Sequence, residues 1–111
     1  MTTNIKPKPD NIASELRRGV IAIAVLSQLA DEQYGYSLLK RLTDQGLEID
    51  QGTLYPLLRR LESQGLLVSN WRIEGERPRR YYQLSPDGQR ALVELTREWQ
   101  NLVMVVDQML K

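Results

Sequence analysis

The feature that most constrains this chain is a short amphipathic helix predicted within residues 50–65. Apolar side chains recur there at helical spacing and form one stripe that faces a core. The stripe is Leu54, Leu57, Leu58 and Leu61, and the other face carries Thr53, Tyr55, Arg59, Arg60 and Glu62. A helix this short is marginal alone and has to be held by packing. Small polar residues followed by arginines suit a helix that reads the major groove of DNA.

Two further helices are predicted before this one. The first, at residues 11–30, carries an apolar stripe of Ile12, Leu16, Val20, Ile23, Leu26 and Ala30. Residues 20–29 are apolar nearly all round, so this helix must be buried on more than one side, either within the fold or against a second copy. The second helix, at residues 36–45, ends before Gly46. Joined by a brief connector, it forms a helix-turn-helix unit with the helix at 50–65.

The start of the helix predicted within residues 50–65 is open to two interpretations. Asp50 and Thr53 are both suitable N-terminal caps. Pro56 favours the later start, because proline is tolerated only in the first turn of a helix. We therefore expect the helix to begin near Thr53.

After Gly65 the hydrophobic period changes from about 3.6 residues to 2, which predicts a β-hairpin. Its strands are expected at residues 66–74 and 79–84, with the loop at residues 75–78. Three arginines, Arg77, Arg79 and Arg80, lie at or next to this loop. A basic hairpin that follows a helix-turn-helix is a wing, placed to meet a minor groove or its phosphates.

The last predicted helix carries a narrow apolar seam. Ser85 is placed as its cap and Pro86 as its first residue. Its apolar residues alternate spacings of three and four, which is typical of a two-position heptad seam. They are Leu92, Leu95, Trp99, Leu102, Val106 and Met109. No second helix of matching length is free to cover this seam, so we expect a second copy of the chain to do so. The alternative is that the helix folds back on its own domain.

Composition excludes several classes of function. The chain has no cysteine and no histidine, which removes disulfides, thiol nucleophiles and the usual zinc sites. The acidic side chains and tyrosines are scattered over separate elements without a nucleophile or a glycine-rich phosphate loop, so an enzyme is not expected. No segment resembles a membrane span or a signal peptide, and we expect a cytoplasmic protein without cofactor or metal.

The net charge of +1 hides an uneven distribution. Residues 31–50 hold five acids and two bases, whereas residues 51–84 hold six arginines and three acids. Positive charge therefore concentrates in the predicted reading helix and wing, which favours double-stranded DNA as partner. The expected DNA contacts are Gln51, Gly52, Thr53, Tyr55 and Arg59 in the reading helix, Tyr36, Ser37 and Lys40 before it, and Arg77, Arg79 and Arg80 in the wing.

Together these elements predict a mainly α fold with a small β-hairpin, an α+β winged helix-turn-helix with a C-terminal dimerisation helix. We expect a flexible basic arm at residues 1–10, a DNA-binding domain at 11–84 and the dimerisation helix at 85–111. A winged helix can also serve as a protein-interaction module without nucleic acid, and the small net charge leaves that alternative open.

Several spaced motifs resemble the PadR family of bacterial transcriptional regulators. They are Tyr34-Gly35-Tyr36, Gly52-Thr53-Leu54-Tyr55-Pro56, Arg60-Leu61-Glu62 with Gly65-Leu66, and Arg80-Tyr81-Tyr82 followed by Leu84-Ser85 and Gly88. The likeness spans about residues 16–88 and is closest in kind to the short subfamily, which ends in one dimerisation helix. It implies a homodimeric repressor. Some short members bind planar aromatic drugs between tryptophans of the two last helices, and Trp99 occupies the matching place.

Overall fold

The computed structural model describes residues 9–111 and contains four helices and one small sheet. The elements in chain order are α1 (Pro9–Ser27), β1 (Gln33–Tyr34), α2 (Gly35–Asp44), α3 (Gln51–Ser63), β2 (Leu67–Glu74), β3 (Arg77–Leu84) and α4 (Pro86–Leu110). This arrangement confirms the predicted winged helix-turn-helix fold class. The basic arm expected at residues 1–10 lies outside the described residues, except for Pro9 and Asp10, which already belong to α1.

The core lies where α1, α2 and α3 meet one face of the sheet. Its buried side chains are Ile21, Val25, Leu26 and Leu29 from α1, Leu38 and Leu42 from α2, Leu54, Leu57, Leu58 and Leu61 from α3, and Leu67, Tyr82 and Leu84 from the sheet. The leucine stripe predicted for α3 is therefore buried in full. Burial of one leucine side chain stabilises a fold by about 1.5–3 kcal/mol, so these contacts hold the short α3 in place.

The buried face of α1 differs from the predicted stripe. Leu26 is buried, but Ile12 and Leu16 are exposed, and the core is contacted by Ile21 and Val25 instead. The sequence is apolar nearly all round from residue 20 to residue 29, so spacing alone allowed more than one face to be chosen. Leu16 and Ile12 remain on the surface of the chain.

Helix α3 begins earlier than expected. Asp50 is its N-cap, and its carboxylate accepts a hydrogen bond of 2.7 Å from the backbone N–H of Thr53. The expected start at Thr53 was wrong, because Pro56 is tolerated one turn into the helix. There it has no N–H to offer the carbonyl of Gly52. The cap and the buried leucines offset the hydrogen bond that is lost.

The sheet has three antiparallel strands in the order β1-β3-β2. Strand β1 was not predicted; it pairs Gln33 with Tyr82 and Tyr34 with Tyr81. The expected four-residue loop of the hairpin is shorter, because Arg77 and Pro78 belong to β3 and only residues 75–76 form the turn. Gly75 has a φ of 64°, which a two-residue hairpin turn requires.

Helix α4 begins as predicted, with Pro86 in its first turn and the Ser85 hydroxyl accepting the N–H of Gly88 at 2.9 Å. The same hydroxyl donates to the Gly65 carbonyl at 2.6 Å. Only glycine fits at position 88, because a Cβ there would lie 2.0 Å from the Leu66 carbonyl oxygen. These contacts fix the direction in which α4 leaves the part of the fold formed by α1, α2, α3 and the sheet.

Beyond its first two turns, α4 projects away from the core and gives the molecule extents of 60 × 33 × 26 Å. Leu92 packs against the core cluster of its own chain. From Leu95 onward the apolar side chains of α4 are exposed, so the helix does not fold back on its own domain. Among residues 9–111, no helix has both the length and the apolar character needed to cross a bilayer.

Candidate nucleic-acid interface

The first turns of α3 present a polar, exposed surface. Gln51, Gly52 and Thr53 are exposed, and Arg59 lies exposed two turns further along the helix. The leucines between them are buried, so the backbone of α3 is held by the core while this face stays open. Side chains at the N-terminal end of such a helix are the ones that reach base edges and nearby phosphates.

Tyr55 connects α3 to the start of α2. Its ring packs so closely on Gly35 that a Cβ at position 35 would lie 2.3 Å from the Tyr55 Cε1 atom. Any other residue at position 35 would displace the ring. The aromatic body of Tyr55 is half-buried there, next to the cleft that its ring helps to line.

A cleft of about 770 Å³ separates the wing from the first turns of α2 and α3. Its lining is Tyr34, Gly35, Tyr36, Tyr55, Arg59, Trp71, Arg77, Pro78, Arg79, Arg80 and Tyr82. Of the predicted DNA contacts, six lie together here: Tyr36, Tyr55, Arg59, Arg77, Arg79 and Arg80. Among the described residues, those that line the cleft include four arginines and no aspartate or glutamate. The cleft therefore attracts anions.

One wall of the cleft is a strand edge without a neighbour. Strand β1 pairs only with Tyr81 and Tyr82, so the preceding residues 77–80 of β3 have no strand beside them on that side. Pro78 lies in this segment, and a proline cannot donate to another strand. The edge therefore remains open beside the aromatic and basic side chains.

The two free arginines of the cleft are Arg59 and Arg77. Neither forms an ion pair with a carboxylate among residues 11–111. Both are exposed, and they approach the cleft from α3 and from the wing respectively. Their guanidinium donors are available to an anion that enters between helix and wing.

Arg79 is held by an aromatic face. Its guanidinium lies 4.3 Å from the ring centroid of Tyr34 and pairs with Glu74 at 3.2 Å. The Tyr34 ring meets the edge of the Tyr81 ring at a centroid distance of 5.4 Å. A cation over an aromatic ring is stabilised by the ring quadrupole, so Arg79 is pre-oriented along the wing.

On the face of the wing that carries Arg72 and Glu74, both side chains contact Tyr81. Its hydroxyl donates to the Glu74 carboxylate, and this hydrogen bond raises the pKa of Tyr81, with loss of hydration adding to the effect. The phenol therefore stays protonated near neutral pH. Arg72 lies 4.5 Å above the Tyr81 ring and pairs with Glu32 at 2.5 Å.

Arg80 has a different environment from the other arginines. Its Nη2 lies 2.6 Å from the Glu62 carboxylate, and its Nε donates to the Ser69 hydroxyl at 3.0 Å. Tyr82, whose ring centroid is 5.3 Å from the guanidinium carbon, lies beneath it. Burial raises the pKa of the Tyr82 hydroxyl.

The predicted contacts on α2 are placed in three different ways. Tyr36 is exposed and lines the cleft. The Ser37 hydroxyl is within 2.9 Å of both the Tyr34 carbonyl and the Gln33 side chain, so it helps to close the junction of β1 and α2. Lys40 is exposed and pairs with Asp44 at 3.2 Å, a surface contact worth little.

Sequence reasoning missed three aromatic residues of the cleft, Tyr34, Trp71 and Tyr82. Tyr34 lies in the short strand β1, which gave no alternating pattern. Trp71 was assigned to the same strand face as Leu67, but it is 66% exposed whereas Leu67 is buried. The hairpin extends beyond the core, so the alternation of apolar and polar residues along β2 continues past the last buried position. The pairing of Trp71 with Arg80 is visible only in the structure, because the predicted loop at residues 75–78 would have placed Trp71 opposite Tyr82.

The predicted seam of α4 forms a second exposed feature. Trp99 is 43% exposed, and Leu95, Leu102, Val106 and Met109 are also exposed. Ile12 and Leu16 of α1 add exposed apolar side chains. Exposed apolar side chains repeated along one helix, as in α4, are typical of an interaction surface. Among residues 9–111 there is no group of acidic side chains arranged to hold a metal ion.

Residues 23–94 match the family model of the PadR-like transcriptional regulators. The chain is 40% identical over 93 residues to the transcriptional regulator Rv3488 of Mycobacterium tuberculosis, which covers 83% of this chain and 87% of that protein.

Solved structures show the same likeness. A PadR family regulator from Eggerthella lenta is 47% identical, with a TM-score of 0.87 over 92% of this chain and 91% of that one. A transcriptional regulator from Clostridium thermocellum is 30% identical, with a TM-score of 0.79 over 88% and 97% of the two chains. The similarity therefore covers most of the length of each chain.

Proposed function

This chain belongs to the PadR-like family of transcriptional regulators, and from that premise we propose that it represses transcription as a homodimer bound to a pseudo-palindromic operator. Family membership identifies a DNA-binding regulator and not an enzyme. It also favours DNA over the alternative of a protein-interaction module. The repressor activity, the dimer and an effector are our proposals.

The observation that carries the proposal is the arginine-lined cleft between wing and reading helix. We propose that a strand of the DNA backbone enters this cleft, where Arg59, Arg77 and Arg79 bind its phosphates. The hydroxyls of Tyr36 and Tyr55 add donors from the opposite wall. Because phosphate contacts dominate affinity, binding is expected to weaken steeply as salt rises.

Sequence reading is assigned to the exposed first turn of α3. Gln51 and Thr53 reach base edges in the major groove, and Gly52 lets the backbone approach the duplex. Lys40 and Ser37 of α2 are proposed to clamp the neighbouring backbone. Lys40 exchanges its exposed partner Asp44 for a phosphate, whereas the Ser37 hydroxyl has to leave its present acceptor.

The dimer is proposed from the exposed seam of α4. Leu95, Trp99, Leu102, Val106 and Met109 pack against a second copy, while Leu92 anchors the helix to its own core. In this arrangement residues 11–84 form the DNA-binding domain and residues 85–111 the dimerisation helix. A two-fold axis places the two α3 helices about 34 Å apart, one turn of DNA. The bound dimer then represses by occupying promoter DNA.

Selection of operators from a random library of duplex DNA tests this function. We expect the wild-type protein to enrich a pseudo-palindrome with half-sites about one helical turn apart. Footprinting should show protection of both half-sites. Enrichment of single half-sites would contradict the dimeric geometry. Failure to enrich any sequence, with no retention of duplex DNA at low salt, would overturn the proposed function itself.

We also propose a planar aromatic effector held between the Trp99 side chains of the two copies. Such a ligand changes operator affinity only if it prefers one arrangement of the subunits. The partial exposure of Trp99 midway along α4 in the single chain supports the proposal, because an aromatic ring on the surface can stack on a planar ligand.

The effector proposal predicts the behaviour of Trp99→Ala. With the planar dye ethidium as probe and no DNA present, we expect affinity to fall roughly tenfold or more, since ring stacking is lost. The measurement is quenching of tryptophan fluorescence for proteins that keep Trp99, and dye anisotropy for all variants. Trp71→Phe is the control and should bind the dye normally. Equal affinity in Trp99→Ala and wild type, with both dimeric, would refute the sandwich.

A further inference from the structure

Three side chains from three elements form one closed polar network at the junction of wing and reading helix. Glu62 lies in the last turn of α3, Ser69 in β2 and Arg80 in β3. One Glu62 oxygen accepts from Arg80 Nη2 at 2.6 Å, and the other accepts from the Ser69 hydroxyl at 2.5 Å. The Ser69 hydroxyl in turn accepts from Arg80 Nε at 3.0 Å. Each member of the network contacts both others.

The network joins α3 to the hairpin midway along the two strands. Along the strand pair, Leu67 and Leu84 are paired at the base and are buried. One step outward comes Ser69, and the next residue pair on that face is Trp71 with Arg80. Beyond it Ile73 is 80% exposed. On this face the wing is therefore fixed by apolar packing at its base and by this network midway, while its other face is held by the Arg72–Glu32 pair and by the contact of Arg79 with Tyr34.

The geometry gives the network more strength than an ordinary surface ion pair. The side chains of Arg80 and Glu62 are 34% and 26% exposed, so water screens them only in part. Both carboxylate oxygens are used, and the guanidinium is bound through two of its donors. Charge-assisted hydrogen bonds of this kind are about twice as strong as neutral ones. The Arg80 side chain is thus held in one direction.

We propose that Glu62, Ser69 and Arg80 form a wing latch that sets the position of the wing relative to the reading helix. The inference rests on the proposed function, because it concerns the cleft that receives the DNA backbone. In this latch Arg80 is a positioning residue and not a phosphate ligand. The latch holds Arg77 and Arg79 of the wing at the correct distance from Arg59 of α3.

When Glu62 is removed, the latch and the change in net charge are expected to have opposite effects on DNA affinity. Glu62 is an acid beside a surface that binds a polyanion, so its removal would strengthen DNA binding if only net charge mattered. The latch predicts the opposite result. Without Glu62 the wing moves, its arginines lose their phosphates, and binding weakens although one negative charge has been removed.

The experiment compares Glu62→Ala with Glu76→Ala on the selected operator. Glu76 is an exposed acid of the hairpin turn without an ion-pair partner among residues 11–111, so its loss changes the same charge and leaves the latch intact. For Glu62→Ala we expect an affinity about tenfold lower. For Glu76→Ala we expect equal or tighter binding. Affinity in Glu62→Ala equal to or above that of wild type would overturn the latch.

The salt dependence separates positioning from loss of stability. We expect the slope of log affinity against log salt to become shallower by about one to two in Glu62→Ala, because wing contacts with phosphate are lost. Partial unfolding would lower the active fraction without changing that slope. An unchanged slope would show that Glu62 does not control how many phosphates are bound.

A charge swap distinguishes positioning by Arg80 from direct contact. The double variant Glu62→Arg with Arg80→Glu rebuilds the pair in the opposite order at the same net charge. We expect it to recover most of the affinity lost in Arg80→Glu. Failure of the swap to recover any affinity would show that Arg80 binds DNA directly. If wild type bound no duplex at all, the proposed function would have failed, and the next measurement would still test the latch.

The latch can be followed without DNA through Trp71. The chain has two tryptophans, so in a Trp99→Phe background Trp71 alone reports on the wing. We expect Glu62→Ala to add a fast component to the fluorescence anisotropy decay of Trp71, while far-UV circular dichroism is unchanged. Glu76→Ala should show neither effect. The same decay in Glu62→Ala and in its parent would contradict the proposed restraint.

Discussion

Replacing Arg59 and Arg77 together by glutamate is expected to lower affinity for the selected operator about a thousandfold at moderate salt. The two arginines approach the cleft from opposite sides, and neither is paired with a carboxylate among residues 11–111. In the proposed complex, their replacement removes two phosphate ligands and introduces repulsion at the same places. Binding is measured by fluorescence anisotropy of labelled duplex DNA over a range of salt concentrations.

The matched control is Arg90→Glu with Lys111→Glu. Both residues are exposed, both lie outside the cleft, and the net charge changes by the same amount. We expect only a small loss of affinity, because distant charges are screened by salt. An equal loss in both double variants would mean that net charge and not the cleft determines binding. Normal binding by the cleft variant would show that the DNA backbone lies elsewhere.

The four arginines of the cleft have different environments, which the sequence does not distinguish. All of them lie in residues 51–84, where the basic excess was visible. Only the fold shows that Arg79 is stacked on Tyr34 and paired with Glu74, and that Arg80 is bound to Glu62. Glu62 and Arg80 are 18 residues apart in the chain, and no periodic pattern relates them. The pairing depends on the tertiary fold.

Sequence reasoning succeeded where a hydrophobic pattern extended over many residues and only one side of the element was buried. The leucines of α3 and the cap of α4 were predicted because they depend on local spacing and on one capping hydroxyl. It failed for β1, which has two residues and therefore no period. It also failed for α1, where apolar residues on several faces left the buried side undetermined. The reading helix and the wing were thus predictable, whereas the third strand beside the cleft was not.

The same limit applies to the wing. Alternation identified the face of β2 that starts with the buried Leu67, but it did not show where burial ends. That boundary depends on the length of α3 beneath the hairpin. Trp71 lies just past it and so lines the cleft instead of the core. Trp71 follows the alternation typical of core residues, yet it belongs to the candidate site because β2 extends beyond the buried core.

Introducing glutamate at Leu102 and Val106 is expected to convert the proposed dimer into a monomer. Both side chains are exposed in the single chain, so the substitutions leave its own core unchanged. In a dimer they would bury four carboxylates without partners, each at a cost of several kcal/mol. A monomer binds one half-site at a time, so affinity for the full operator should fall roughly a hundredfold or more. Analytical ultracentrifugation and operator binding measure the two effects.

Asn101→Glu with Gln108→Glu provides the control, because both residues lie on α4 away from the seam and add the same charge. We expect this variant to remain dimeric and to bind DNA with only the small loss that added negative charge produces. If the Leu102 and Val106 variant stayed dimeric at micromolar concentration, the two copies would have to meet along another surface. The exposed residues Ile12 and Leu16 of α1 would then be the next positions to change. A dimer lost together with the full-operator affinity, but with weak half-site binding retained, would establish that α4 joins two independent reading domains.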